Sequence, residues 1–373
     1  MKTVITLAAV VCLSSAVLIG GQAPAVRPPM AEEVFKNVQV LKGIPVDEFM
    51  ATMGFFAAAV GLNCTDCHVD ESGGSWAKYA DDNDLKRTTR RMIQMVTALN
   101  KASFGGRQMV TCNTCHRGSS RPSVMPSLAQ LYGSPPPDEP GDPVEQAPGQ
   151  PAPDQVLDKF IQAIGGAQRV AALTSFTAKG TYLGFDDAEK RTLEIFAKAP
   201  NQRATITRSA IGPSTTIVDG ATGWIAGLDT ERPLPLIAIT GQELDGVKLE
   251  AELLFPSRIK QALGKWRTGP PAVLGDREVR VVQGNTAGGG TVTLCFDSES
   301  GLLVRLIRFA ESPVGRLVTQ VDYANYRDVA GVKMPFTWTV SWLNGRSVYE
   351  LTDVQPNAAI AASRFARPVP AAR

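Results

Sequence analysis

The stretches Gly61-Leu62-Asn63-Cys64-Thr65-Asp66-Cys67-His68 and Val110-Thr111-Cys112-Asn113-Thr114-Cys115-His116-Arg117-Gly118 decide how the first third of this chain is read. Each holds a Cys-x-x-Cys-His unit. Two thiols at that spacing reach one edge of a porphyrin and add to its two vinyl groups, and the adjacent imidazole then lies under the iron. The pattern predicts two covalently bound haem c groups, one at Cys64, Cys67 and His68 and one at Cys112, Cys115 and His116. Other uses of these residues fit less well. A compact zinc ribbon brings its second thiol pair far closer than Cys112 stands to Cys67. A thioredoxin-like motif is single and sits at a strand–helix junction. Two disulfides would have no use for the histidines.

The chain has two histidines, and both sit in the motifs. Neither iron can therefore take a second histidine from this chain. The sixth ligand is a methionine, an unusual group or an open position. Methionine raises the potential of an electron carrier, whereas an open position belongs to peroxidase or gas-binding chemistry. Phe49, Met50, Met53, Phe56, Ala57 and Val60 recur at helical spacing between Pro45 and Gly61, which puts Met53 on the apolar face just before Cys64. Leu85, Met92, Met95, Val96 and Leu99 share the apolar face of a second helix, from the region of Asp84 to Asn100. Met92 and Met95, one turn apart, are both candidates for the second iron, and all three methionines would serve equally as core filling. Met50 reads as packing and Met109 as badly placed. Arg90, Arg91 and Arg117 either pair with haem propionates or an acidic partner, or form a solvated face.

Lys2, the apolar run from Val4 to Leu18 and Ala23-Pro24-Ala25 predict an export signal over residues 1–25, taking Cys12 with it and leaving the mature chain in the periplasm. The run is short for a bilayer span. Residues 26–132 are then a mostly helical dihaem domain. Eight prolines crowd residues 133–153, a composition that favours an extended linker over a packed core. Residues 154–373 open with an amphipathic helix (Val156, Leu157, Phe160, Ile161, Ile164) ended by Gly165-Gly166. Runs of strand character follow, among them 175–183, 192–198, 205–209, 215–218, 278–282, 291–296, 302–309, 318–323 and 336–342. They predict an antiparallel sheet or open barrel, with a helical interruption around residues 249–263. The fold class is α+β and multidomain. Cys295 alternates with apolar neighbours and reads as a buried free thiol. A net charge of +2 gives no footprint for nucleic acid. No catalytic acid–base pair or nucleophile stands out.

The stretch Val34 to Lys42, then Met53 through His68, Arg91-Met92-Ile93-Gln94-Met95, and Val110 through Gly118 resemble the cytochrome subunit of bacterial photosynthetic reaction centres, over residues 30–125. The resemblance implies haem units made of a helix, a turn and the attachment motif, with a helix methionine as sixth ligand. By that match Met53 serves the first site, and Met92, ahead of Met95, the second. It implies an electron carrier rather than an enzyme, with a periplasmic or membrane redox protein as partner. The family holds four haems in two pairs. Here one pair of motifs is present, and a histidine ligand of the family is missing. A second resemblance rests on Asp219-Gly220-Ala221-Thr222-Gly223-Trp224, on Phe296-Asp297 with Gly301 to Arg305, and on Asp322-Tyr323 with Tyr326-Arg327. These are similar to periplasmic proteins of the outer-membrane lipoprotein carrier type. That implies an open antiparallel half-barrel lined by a helix, serving either as a cavity for a lipophilic ligand or as a docking module. A haem peroxidase with one open iron, and a lipophilic-ligand sensor with a haem redox module, are the competing functions.

Overall fold

The computed structural model describes residues 27–68, 78–133, 144–185, 187–210, 212–227 and 234–369. The expected export segment and Cys12 lie outside the described residues. The N-terminal region is helical: α1 (Ala31–Val34), α2 (Val46–Val60), α3 (Cys64–Cys67), α4 (Asp84–Phe104), α5 (Cys112–His116) and α6 (Leu128–Tyr132). α2 starts directly after Pro45 and carries Asp47 and Glu48 in its first turn, where the helix dipole favours negative charge. It stops at Gly61, which takes the left-handed conformation that a side chain resists. α4 begins where the Asn83 side chain accepts from the Lys86 amide at 2.9 Å. It runs a turn past the expected end at Asn100. Asn100 is buried inside the helix, and its amide group bonds the backbone of Met109 and Val110. The polar residue that read as a terminus instead clamps the chain returning toward Cys112.

The rest of the chain is a single open sheet with helices on it. After α7 (Pro153–Ala163) and α8 (Ala167–Ala172) come β1 (Ser175–Leu183), β2 (Arg191–Lys198), β3 (Gln202–Ser209), β4 (Gly212–Val218), β5 (Gly223–Gly227) and β6 (Leu236–Ile239). Next are α9 (Gly241–Glu252) and α10 (Ile259–Ala262), followed by β7 (Gly264–Thr268), β8 (Ala272–Leu274) and β9 (Arg277–Asn285). β10 (Thr291–Asp297), β11 (Leu303–Ser312), β12 (Gly315–Val329), β13 (Val332–Trp342) and β14 (Gly345–Pro356) complete it. The strand order is β6-β5-β4-β3-β2-β1-β14-β13-β12-β11-β10-β9-β7, with β8 paired to β9 and every pairing antiparallel. β1 and β14 meet in the middle, so the chain walks out along one meander to the edge strand β6. It then crosses on α9 and α10 and returns from the other edge, β7. The sheet does not close.

That crossover explains one difference from the sequence reading. The helical interruption expected around residues 249–263 begins earlier, at Gly241, because two glycines dilute its apolar period. Gly246 is small for a reason: a Cβ there would stand 2.5 Å from Arg308 Cδ. Arg308 is buried under α9 and donates to both Glu243 oxygens at 2.5 and 2.9 Å and to Glu250 Oε1 at 2.7 Å. Arg203 faces Glu250 from β3 at 3.6 Å. A buried charge must be paired to be tolerated, and here the pairing fixes where the crossover helix lies. Elsewhere on the sheet α7 lays Val156, Leu157, Phe160 and Ile161 against Phe176, Leu193, Phe296 and Leu306. The side of the sheet under α7 is thus filled by packed side chains. The described end of the Pro-rich stretch lies along the sheet: the Val144 and Ala147 amides donate to Gln283 Oε1 and the Thr268 carbonyl at 2.9 and 2.8 Å. It covers strand edges that would otherwise offer unpaired groups. Cys295 is buried in β10 as expected, and burial pushes its thiol up to about 11.

Candidate functional site

Both Cys-x-x-Cys-His units fold as single helical turns. In the first, the Asn63 side chain accepts from the Asp66 amide at 3.1 Å and Asp66 Oδ2 accepts from the Asn63 amide at 2.8 Å, a reciprocal cap. In the second, the Thr111 amide donates to Thr114 Oγ1 at 3.0 Å. Each turn ends on its histidine, and each histidine is held in the same way. His68 Nδ1 lies 3.0 Å from the Tyr79 carbonyl, and His116 Nδ1 lies 2.9 Å from the Ser119 carbonyl. A carbonyl can only accept, so Nδ1 carries the hydrogen and the Nε2 lone pair is left free, the tautomer that ligates a metal. Burial, with the nearby Lys86 ammonium, holds the His68 pKa below its usual value and so favours the neutral ring. Burial likewise pushes the Cys67 and Cys112 thiols up.

Two glycines bring the units together. Gly61 ends α2 at φ 66°, and Gly118 turns the chain after His116 at φ 79°. The Gly118 amide donates to the Ala59 carbonyl at 2.9 Å. A Cβ on Gly61 would overlap the Gly118 carbonyl oxygen deep inside van der Waals contact. The turn after the second motif is therefore pressed backbone to backbone against the helix that leads into the first.

The result is one cavity of about 340 Å³ lined by Cys64, Cys67, His68, Cys112 and His116, with Met53 and Met92 on its helical walls and Phe35, Phe49 and Phe56 closing it. Met50, read from the sequence as packing, also lines it. Met95 and Cys115 do not: Met95 is 51% exposed, and Cys115 and Met109 are exposed as well. Arg90 borders the cavity and pairs with Asp82 at 2.6 Å. Arg91 donates to Thr88 Oγ1 at 3.0 Å, and Arg117 is exposed. The sequence reading did not find the Tyr79 and Ser119 acceptors, because they are backbone carbonyls and leave no residue signal. It also missed Asn83, whose side chain donates to the Cys67 carbonyl at 2.7 Å and ties the first unit to α4. The donor set fits haem c: thiols and an imidazole on one turn, a thioether on a facing helix, and apolar walls.

Residues 11–131 match the photosynthetic reaction centre cytochrome c subunit family. The photosynthetic reaction center cytochrome c subunit of Thermochromatium tepidum is 42% identical over 123 residues, covering 28% of this chain and 29% of that protein. The subunit of Rubrivivax gelatinosus is 33% identical over 119 residues, 28% and 30% of the two chains. The chain thus spans about 30% of the length of these curated relatives. The resemblance read from the two motifs and their flanking helices is borne out, and a c-type cytochrome with covalent haem c is what the family implies. Among solved structures, a LolA superfamily protein from Nitrosomonas europaea overlays 58% of this chain and 98% of its own at 14% identity, TM-score 0.39. An outer membrane lipoprotein-sorting protein domain from Vibrio parahaemolyticus overlays 57% and 94% at 9% identity, TM-score 0.39. No helix among the described residues is long and apolar enough to cross a membrane.

Proposed function

We propose that this chain is a periplasmic dihaem c-type cytochrome that carries electrons to or from a redox protein of the periplasm or membrane. Residues 26–132 are its electron-carrying unit, residues 133–153 the connector and residues 154–373 a β-rich domain that supports it. The observation that carries this reading is the single cavity lined by both histidines, by thiols of both motifs and by Met53 and Met92. In this reading Cys64 and Cys67 would bond the first haem, with His68 and Met53 as the residues that would hold its iron. Cys112 and Cys115 would bond the second, with His116 and Met92; Met95 faces away. When bound, the haems supply a reversible one-electron couple at each iron. The chain's part is to hold both groups side by side, to fix each imidazole through its Nδ1–H, and to keep water off the faces with Phe35, Phe49 and Phe56. Arg90, already paired to Asp82, lines the cavity and would supply a cation to a propionate.

The test is the ferric optical spectrum of the haem-loaded protein. A low-spin spectrum with the iron–methionine charge-transfer band is expected, and Met53→Ala and Met92→Ala should each abolish half of that band. A high-spin spectrum in the parent protein would contradict the carrier and point to the open iron of a peroxidase.

A further inference from the structure

The turn between β11 and β12 carries no motif and supplies none of the proposed ligands, yet it forms the wall behind the second attachment unit. Val314, at its tip, is 6% exposed and buried with Leu41, Phe55, Ala59 and Ile93, in the apolar cluster on which Cys112 packs. The turn is closed on itself, with Ser312 Oγ donating to the Gly315 carbonyl at 2.6 Å. Gln108, four residues before Cys112, donates through Nε2 to the Ser312 carbonyl at 2.6 Å. Gly315 lies at φ 151°, and a Cβ there would stand 2.6 Å from the Phe55 ring and 3.4 Å from Thr111 Cγ2. A second tie holds the same face of the sheet to α2: the Thr240 amide and hydroxyl donate to the Asp47 carboxylate at 2.7 and 2.9 Å. The first attachment unit meets this cluster through Met53, while Cys64, Cys67 and His68 are not part of it. The unit's hydrogen-bond partners, Tyr79, Asn83 and Asn63, all come from the helical region.

We propose that Val314 is a positioning residue for the second haem: the β11–β12 turn of the sheet keeps water from the thioether edge at Cys112 and so holds that haem's potential up, acting less on the first haem, whose thiols lie off this cluster. This rests on the dihaem reading. The ferric form carries one more positive charge than the ferrous form, and water at the edge solvates it better. Excluding water therefore favours the reduced form. The sheet acts here through Phe55 and Cys112, not by touching iron.

The experiment is a potentiometric titration of the haem-loaded full chain in two single-haem backgrounds, Cys64→Ala with Cys67→Ala and Cys112→Ala with Cys115→Ala. Where the second haem remains, Val314→Ala should shift the oxidised-to-reduced ratio at fixed poise about threefold toward oxidised, which is a fall of roughly 28 mV for a one-electron couple. Val314→Ile should restore it. Gln108→Ala, which removes the bond to the Ser312 carbonyl, should move the same haem in the same direction by less. Where the first haem remains, both variants should move the potential by clearly less. An unmoved second haem in both variants, or equal shifts of both haems, would overturn the proposal while leaving the dihaem reading intact. A parent chain that binds fewer than two covalent haems would overturn both.

Discussion

Gly61→Ala measures directly how tightly the two attachment units are pressed together. Gly61 and Gly105 end their helices in nearly the same conformation, at φ 66° and ψ 34° for one and φ 62° and ψ 30° for the other. Their surroundings differ. Around Gly105 nothing lies within 4 Å of an added Cβ, whereas at Gly61 the Cβ would overlap the Gly118 carbonyl. Alanine at Gly105 should therefore cost only the left-handed backbone penalty, about 1 kcal/mol. At Gly61 the same penalty applies, and the turn after His116 must also move away. That strains or breaks the bond from the Gly118 amide to the Ala59 carbonyl, worth about 1 kcal/mol, and opens packing around Cys112. The expected total is about 3 kcal/mol. Gly118→Ala is the second control, since its added Cβ would meet only the Ala58 carbonyl oxygen, at 3.9 Å. Urea midpoints of the three variants with haem attached provide the assay. Equal losses at Gly61 and Gly105 would refute the claim that backbone contact between the units fixes the haem pair.

The exposure of Met95 and the position of Met92 on the cavity wall make a sharp contrast: Met92→Ala should turn one haem high-spin, and Met95→Ala should leave the spectrum unchanged, both read by optical spectroscopy. Arg308→Met should cost about 3–5 kcal/mol in urea, because it strands the Glu250 and Glu243 carboxylates under α9 without their partner. Acid should weaken the same region. Burial pushes the Glu250 carboxyl up, but Arg308 and Arg203 outweigh it and hold it below the ordinary 4.5. The unfolded chain then binds the extra proton, so this group's stabilisation is complete above pH 4.5 and drains as pH falls below that value. The urea midpoint should fall over that range, and Arg308→Met should flatten the dependence.

The sequence made the chemistry more legible than the architecture around it. Cys-x-x-Cys-His is a local unit whose spacing is fixed by the porphyrin edge, so Cys64, Cys67, His68, Cys112, Cys115 and His116 could be read from the chain alone. Met53 was legible because helical spacing puts it on the apolar face of α2, the face that lines the cavity. Met92 and Met95 could not be separated by period, since both fall on the apolar stripe of α4; it takes the cavity beneath the helix to tell them apart. The strands from β9 to β13 announced themselves by alternation. The crossover α9 was misplaced by eight residues because Gly246 is there to admit Arg308, a contact from β11 that no local pattern encodes. The backbone acceptors at Tyr79 and Ser119 and the reach of Val314 into the helical region are likewise products of tertiary structure.

The measurement that bears most directly on the central claim is the intact mass, under denaturing conditions, of the chain matured where haem c is attached. The account predicts a mass increase of two haems in the parent chain, one in the Cys64→Ala, Cys67→Ala variant and one in the Cys112→Ala, Cys115→Ala variant. A parent chain with no added haem, or with a single haem that disappears in only one of the two variants, would contradict it.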